Sequence, residues 1–327
     1  MTETFVLYSN IAVYSAMAIY TIAFIMFTLD LSRRSVASVA PVEVGSSARV
    51  GRLASVGSTA LLERVDAPAE TRVKGPRYLR VAFALTVFGW VLHVGAAIFR
   101  GVAAGRVPWA NMFEFSLTAT AIIVGVFLLV QVWQDLRFLG AFVVGFALIA
   151  LGITTTNFYV DVVPLPPALQ SAWLVIHVFV ASLGTGFFAL GAALSVVQLL
   201  QARRAAGRAV RLKFLDTLPA ADALENLAYR LIVVGFVFWT FTLIAGAVWA
   251  ERAWGRYWGW DTKEVWTFII WTIFAGYIHA RATRGWRGSR SAWLAIIGFG
   301  AVVFNFTIVN LFFKGLHSYS GIPGVGQ

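Results

Sequence analysis

Long apolar runs separated by short polar connections follow one another along most of this chain. Eight runs are long enough to cross a membrane as a helix. They cover residues 7–29, 79–99, 113–133, 137–154, 171–199, 229–249, 264–281 and 291–313. Because a chain in lipid must satisfy its backbone hydrogen bonds internally, the pattern predicts an all-α polytopic membrane protein. We expect a bundle of about eight transmembrane helices.

The polar segments divide the chain into three parts. Residues 1–30 predict a first transmembrane helix that is retained, because no basic residue precedes its apolar run. Residues 31–76 are rich in Ser, Gly and Ala with scattered charges, which predicts a cytoplasmic polar linker. Residues 77–320 hold the other seven predicted helices and a loop of unusual composition at 250–266. We expect this third part to carry the function.

Composition excludes several classes of protein. Charged residues make up 13% of the chain, about half of the roughly 25% typical of soluble domains. There are no cysteines, so the chain has no disulfide, thiolate metal site or thiol chemistry of its own. The net charge is +11, but the basic residues lie between the apolar runs. That placement indicates control of membrane topology, and we expect no nucleic-acid partner.

The distribution of Lys and Arg predicts how the chain is oriented. If residues 31–80 face the cytoplasm and the helices alternate, all but six of the 26 Lys and Arg residues face inward. Both termini are then extracytoplasmic, in a bacterial plasma membrane. The outer features are the loops at 100–112, 155–170 and 250–263 and the C-terminal tail, so we expect an active face outside.

The outer loop at 250–266 is exceptionally aromatic. Its aromatic residues are Trp254, Tyr257, Trp258, Trp260 and Trp266. They could form part of an interfacial aromatic belt, or a stacking surface for a large planar ligand. Gly255 and Gly259 lie among them and would allow close approach of such a ligand. The residues alone leave both readings open.

Two four-residue patterns predict helix starts at the outer side. Asp261-Thr-Lys-Glu264 and Asn111-Met-Phe-Glu114 both have the form of a capping box. The positive ends of both helices would face the same outer space and favour anionic groups there. We expect Asp261, Glu264 and Glu114 to be mainly structural.

Four histidines are candidate metal ligands. His177 lies about two turns into the fifth predicted helix from its outer end, and His317 follows the last helix, so the two can converge. Paired neutral imidazoles are suitable axial ligands for haem iron. His279 lies on the seventh helix, about 22 Å deeper than Glu264 at 1.5 Å per residue. For His93 we expect a hydrogen-bonded structural role.

Five basic residues lie in the predicted outer loops, although most Lys and Arg residues lie in the predicted inner segments. Their charges could pair with haem propionates, or form salt bridges with neighbouring carboxylates. The sequence leaves these two explanations open. The five are Arg100, Arg106, Arg252, Arg256 and Lys263.

With these residues in view, the chain resembles the CcsA/ResC family of the System II cytochrome c maturation pathway, called CcsB in actinobacteria. This family carries a haem-handling "WWD" domain. The resemblance covers roughly residues 85–320. It rests on His93, the stretch 105–114, His177, the stretch 227–230, Trp254 to Trp266, His279 with Ala280 and Arg281, and the stretch 315–319.

The resemblance implies specific roles. His177 and His317 would be the axial ligands of an outer haem site, and His279 a ligand of an inner site. The ligand handled would be haem b, which the family attaches through thioethers to the CXXCH cysteines of apocytochrome c. The implied partners are a ResB-type (Ccs) membrane subunit, apocytochrome c and a thiol-reducing thioredoxin-like protein. The remaining implied cofactor-binding residues are Trp254, Trp258, Trp260, Asp261, Trp266 and Arg256, with His93, Arg100, Asn111 and Glu114 as further candidates.

The sequence departs from the family at two positions. Arg106 stands where the family has His, and Thr262 stands where many members have Pro. The leading hypothesis is a subunit of a holocytochrome c synthase that delivers haem across the membrane. Alternatives are a haem exporter or chaperone without ligase activity, a b-type haem electron carrier, and a lipid-linked or quinone-binding enzyme.

Overall fold

The structure is a computed structural model that describes residues 1–37, 77–165, 169–209, 211–283 and 285–317. Within these ranges all regular secondary structure is helical. The eight long helices are α1 Thr2–Ala37, α2 Arg77–Ala104, α3 Met112–Val130, α4 Gly140–Asn157, α5 Ala172–Ala205, α6 Ala221–Trp254, α7 Thr262–Thr283 and α8 Ser289–Phe306. A short helix, α9 Ile308–Phe312, follows them. Each long helix corresponds to one predicted apolar run, so the predicted all-α bundle is confirmed.

Several helices are longer than their apolar runs. α1 continues to Ala37, so the first seven residues of the predicted linker are helical. The rest of that linker, at 38–76, lies outside the described residues, as do residues 318–320. α6 begins at Ala221, eight residues before its predicted start. An apolar run marks the part of a helix inside lipid, whereas the helix itself can project beyond the hydrocarbon.

Seven of the described helices are long and apolar enough to cross a membrane. The exception is α7, which is more polar but runs beside α6 along its length. The Trp239 indole of α6 donates to the Thr267 carbonyl near the start of α7, and Arg281 near its end pairs with Glu225. Large apolar side chains also face outward, as Val237 does with 63% exposed. The chain is therefore a multi-pass membrane protein.

Consecutive helices run antiparallel, so their connections gather at two ends of the bundle. The connections 105–111, 158–171 and 255–261 and the segment after α8 lie together at one end, named the site end below. Arg106 donates to the Val163 carbonyl, which joins the first two connections. The Leu316 amide donates to Asp261, which joins the last two. The helices therefore alternate in direction as predicted.

A buried carboxylate holds the opposite end together. Glu225 of α6 accepts hydrogen bonds from Arg281 at 2.7 Å, Ser291 at 3.0 Å and the Gly288 amide at 2.9 Å. Gln198 of α5 donates to the same carboxylate at 3.3 Å. One side chain thus links α5, α6, α7 and the start of α8. Removing one member of such a buried pair would leave an uncompensated charge.

Close packing of α1 against α4 depends on a glycine. A Cβ atom added at Gly140 would overlap the fully buried ring of Phe27, whereas one added at Gly152 of the same helix would meet nothing within 4 Å. The two positions therefore form a matched pair on α4.

We predict opposite effects of alanine at these two positions. Gly140→Ala overpacks the α1–α4 contact and should cost about 1–3 kcal/mol of stability. Gly152→Ala should stabilise by up to about 1 kcal/mol through helix propensity alone. Thermal unfolding of the detergent-purified variants checks both. An equal rise in midpoint for the two variants would contradict the described packing.

Candidate functional site

Two glycines shape the loops at the site end. Gly105 follows α2 with φ +63°, and Gly255 caps the C-terminus of α6 with φ +69°. The left-handed conformation favours glycine and ends the helix. Gly259 lies directly beneath the Arg256 guanidinium, which occupies the space a Cβ would need. In the structure Gly255 ends a helix, and Gly259 accommodates a neighbouring side chain.

Both predicted helix caps are present in the structure. The Asn111 side chain accepts from the Glu114 amide at 2.9 Å. The Glu114 carboxylate reaches back to the Ala110 amide, one residue beyond the expected position. Glu264 accepts from the Asp261 amide at 3.1 Å and the Gly259 amide at 2.8 Å. These caps fix where α3 and α7 begin.

Asp261 also holds His317 in place. The two Asp261 carboxylate oxygens accept from the His317 Nδ1 at 2.7 Å and from the Leu316 amide at 3.0 Å. Because a carboxylate is the acceptor, Nδ1 carries the proton and the Nε2 lone pair of neutral His317 has no partner among the described residues.

The protonation states of His317 and Asp261 follow from their surroundings. The pKa of His317 lies below its ordinary value because burial disfavours the imidazolium, although the hydrogen bond to Asp261 opposes that shift. Burial raises the pKa of the Asp261 carboxyl, but the hydrogen bonds that it accepts from His317 and from the Leu316 and Lys263 amides lower it, and the net shift is downward. Near neutral pH we therefore expect a neutral imidazole beside a carboxylate.

His177 is held in a similar way by the backbone. Its Nδ1 is 3.0 Å from the Thr242 carbonyl of α6, so this nitrogen donates and Nε2 again has no partner among the described residues. Gly246 makes room for the ring, because a Cβ there would lie 2.8 Å from the His177 Cε1. A glycine within an apolar helix carries no sequence signal for such a role.

Trp249 of α6 contacts both imidazoles. Its ring stacks on His177 with centroids 5.8 Å apart and an interplanar angle of 18°. It meets His317 edge-on at 5.4 Å. Trp254 packs against both Trp249 and His317 at 4.8 Å. The structure thus brings His177 and His317 to the same indole, and Trp249 is a site residue that sequence reasoning missed.

Two cavities adjoin these rings. The first, of about 110 Å³, is named the upper cavity; the second, of about 90 Å³, is named the lower cavity. Both are lined by His177, His317, Lys263 and Phe306. Each is smaller than the roughly 300–1,000 Å³ usual for small-molecule sites. A porphyrin ring is accommodated only if the side chains between the two cavities move apart.

The donor atoms of the two imidazoles are of a type that binds haem iron. Two imidazole Nε2 atoms without hydrogen-bond partners line a space walled by indole and phenyl rings, and neutral imidazole is a common iron ligand. No group of three or more His, Cys, Asp or Glu residues suited to a bare metal ion occurs among the described residues.

The Trp-rich loop does not form one continuous surface. Trp258 and Tyr257 line the lower cavity. Trp260 points outward with 77% of its surface exposed. Trp266 lies on α7 and packs against Phe304 of α8 at 4.4 Å. Of the four predicted tryptophans, Trp254 packs against His317 and Trp258 lines the lower cavity. Trp260 instead packs edge-on against Trp258 at 5.8 Å, and Trp266 lies on α7.

Two outer arginines are paired inside the protein. Glu114, which is fully buried, accepts from Arg100 at 3.3 Å and from Arg106 at 2.6 Å. Arg100 is itself fully buried beside the Phe113 ring. The sequence left two explanations open for these residues, propionate binding and salt bridges. The structure shows the salt bridges. Arg106, which replaces a family histidine, forms half of it.

The other two histidines lie apart from the cavities. His93 is fully buried, with Nε2 2.8 Å from the Leu117 carbonyl and Nδ1 3.5 Å from the Tyr20 hydroxyl. Both its nitrogens are engaged, as expected for a structural histidine. His279 is exposed on α7, four residues before the end of the helix. The structure does not bring it near His177 or His317.

The chain is similar to known proteins over most of its length. The model of the cytochrome c assembly protein family matches residues 109–317. CcsA cytochrome c biogenesis proteins of Trieres chinensis and Synechococcus elongatus are 34% identical over 252 residues and 35% identical over 269 residues. Each alignment covers 67% of this chain, and 80% and 81% of the respective relative.

A solved structure supports the fold. Cytochrome c heme lyase CcmF aligns with a TM-score of 0.61 over 92% of this chain at 16% identity. This chain spans only 46% of that structure's length, so the likeness concerns the fold alone. The matched family region contains α3 to α9 together with His177, Asp261 and His317. The chain belongs to the cytochrome c assembly protein family and, within it, to the CcsA proteins.

Proposed function

We propose that this protein acts in cytochrome c biogenesis by holding haem b at the site end, on the extracytoplasmic side of the membrane. One observation carries the proposal: His177 and His317 contact the same indole, and each has its Nδ1 occupied and its Nε2 without a partner. Membership in a cytochrome c assembly family supports haem as the ligand. With a ResB-type subunit, the protein would present haem to apocytochrome c.

The protein's own groups would hold and orient the haem. The Nδ1–H groups donate to Asp261 and to the Thr242 carbonyl, which fixes each ring with Nε2 as the donor to iron. A carboxylate behind an imidazole raises its basicity, so His317 would be the stronger donor of the two. Trp254, Tyr257 and Trp258 would cover the ring faces.

Thioether formation adds each cysteine S–H of the CXXCH motif across a haem vinyl group, without net oxidation or reduction. No side chain of this site is required to exchange a proton with the reacting atoms. Positioning supplies the catalytic effect, because holding two reactants in the right geometry makes their reaction effectively intramolecular. The protein would thus serve as the haem-holding subunit of a holocytochrome c synthase.

His279 would serve a second, inner haem site. Its side chain is exposed on the surface of α7, where a histidine of the ResB-type partner could supply the other axial ligand. A permanently bound b-type haem between His93 and His279 is not favoured, because both nitrogens of His93 already have protein partners.

Thiol labelling tests the proposed orientation. The chain has no cysteine, so an introduced one is its sole reactive thiol. In intact cells a membrane-impermeant maleimide should label Lys314→Cys at the site end and not Arg287→Cys at the opposite end; both residues are exposed. Permeabilised membranes should label both variants. The reverse pattern in intact cells would overturn the orientation.

Replacing either outer histidine tests the ligand assignment. His177→Ala and His317→Ala should each convert a six-coordinate bis-imidazole haem spectrum to a five-coordinate one. Haem retention should fall at least about tenfold, since second-shell changes alone cost 10–100-fold in metal affinity. Added imidazole should restore the spectrum by filling the vacated space. The measurement is absorption of the detergent-purified protein loaded with haem in vitro.

Lys314→Met is the control, since this exposed lysine of the same end has no proposed contact with haem and its replacement should leave the in vitro spectrum unchanged. Normal spectra and normal holocytochrome yield in both outer variants would refute the assignment. Assaying covalent haem on an apocytochrome peptide, with and without the ResB-type subunit, then separates ligase activity from simple haem carriage.

A further inference from the structure

Lys263 lies beside the two outer histidines. Its side chain lines both the upper and the lower cavity together with His177 and His317. The ammonium contacts the side-chain oxygen of Asn310 and lies 5.4 Å from the centre of the Phe306 ring. These are a neutral amide and an aromatic face, and neither balances its charge.

No ion pair joins Lys263 to a carboxylate among the described residues. Asp261, two residues earlier, accepts from His317 and from the Leu316 and Lys263 amides, and it attracts the ammonium without forming an ion pair. Glu264 directs one oxygen to the Gly259 and Asp261 amides; its other oxygen is buried without a hydrogen-bond partner, and of the two cavities it lines only the lower one. A cation removed from water normally has an anionic partner. Among the described residues that line the upper cavity, Lys263 is the only lysine, arginine or carboxylate.

A second polar group in the upper cavity also has no partner. The Asn111 side chain is 4% exposed, and its oxygen caps α3 by accepting from the Glu114 amide. Its amide nitrogen is buried without a hydrogen-bond acceptor. The positive end of the α3 dipole lies at the same place. Two donors and a helix N-terminus therefore face one small cavity.

We infer that the upper cavity is a carboxylate-binding subsite, in which Lys263 and Asn111 grip one propionate of the porphyrin. The inference rests on the proposed function and names the group by which the site would select its ligand. A cavity of about 110 Å³ equals a few water volumes of about 30 Å³, which suits a short carboxylate chain rather than a ring. Arg100 and Arg106 do not line this cavity, and both bind Glu114 instead.

The test compares haem with haem dimethyl ester, in which both propionates are uncharged. Each is titrated into the detergent-purified full chain, and binding is followed by absorbance and by quenching of tryptophan fluorescence. Wild-type protein should bind the free acid about tenfold or more tightly than the ester, since hydrogen bonds to charged groups are the strong ones.

Two variants test which side chains cause the preference for the free acid. Lys263→Met removes the charge and keeps the length of the side chain, so the preference for the free acid should disappear while the ester binds as before. Asn111→Asp keeps a good helix cap but replaces the amide donor with a carboxylate, and it should also abolish the preference. Lys314→Met, an exposed lysine of the same end, is the control and should retain it.

The outcomes test the carboxylate subsite and the haem-holding function separately. Equal binding of acid and ester by the wild type, or a preference that survives in Lys263→Met, overturns the subsite and leaves the haem-holding function standing. If neither porphyrin binds the wild type, the proposed function fails as well. The wild-type comparison needs no variant, so misfolding of a mutant cannot obscure it.

Discussion

The hydrogen bond between His317 and Asp261 is the interaction on which the rest of the site depends. It ties the segment after the last helix to the turn that begins α7, and so sets His317 against Trp249 and Trp254. The same carboxylate caps α7 through the Lys263 amide. A single aspartate therefore fixes the start of a helix, the position of the segment after the last helix and the tautomer of the His317 imidazole.

Charge is distributed differently among three cations of the site end. Arg100 and Arg106 share Glu114 and make a compact buried cluster that joins α2, α3 and the connection after α4. Lys263 contacts an amide oxygen and an aromatic ring, and the nearby Asp261 carboxylate attracts its charge without an ion pair among the described residues. Both arginines bind a carboxylate of the protein, whereas Lys263 lines the two cavities beside the histidines. In the proposed subsite, a carboxylate of the ligand would face Lys263.

The sequence was sufficient for the helices and caps but not for the walls of the site. Apolar runs, Asn111 and Asp261 predicted where helices begin, and helix alternation predicted that His177 and His317 converge. Trp249 was not predicted as a site residue, because a single tryptophan within an apolar helix does not indicate which face of the helix it occupies. The roles of Gly255, Gly259 and Arg106 depend on φ angles and on contacts between distant segments, which residue order does not encode.

The most direct test is an electron cryo-microscopy structure of the full chain loaded with haem in a lipid nanodisc. The account predicts iron bonded to the Nε2 atoms of both His177 and His317, with the hydrogen bond from His317 to Asp261 retained. It also predicts the porphyrin lying between the present upper and lower cavities. Iron bonded at the site end by any other pair of residues, or by one of these histidines alone, would contradict it.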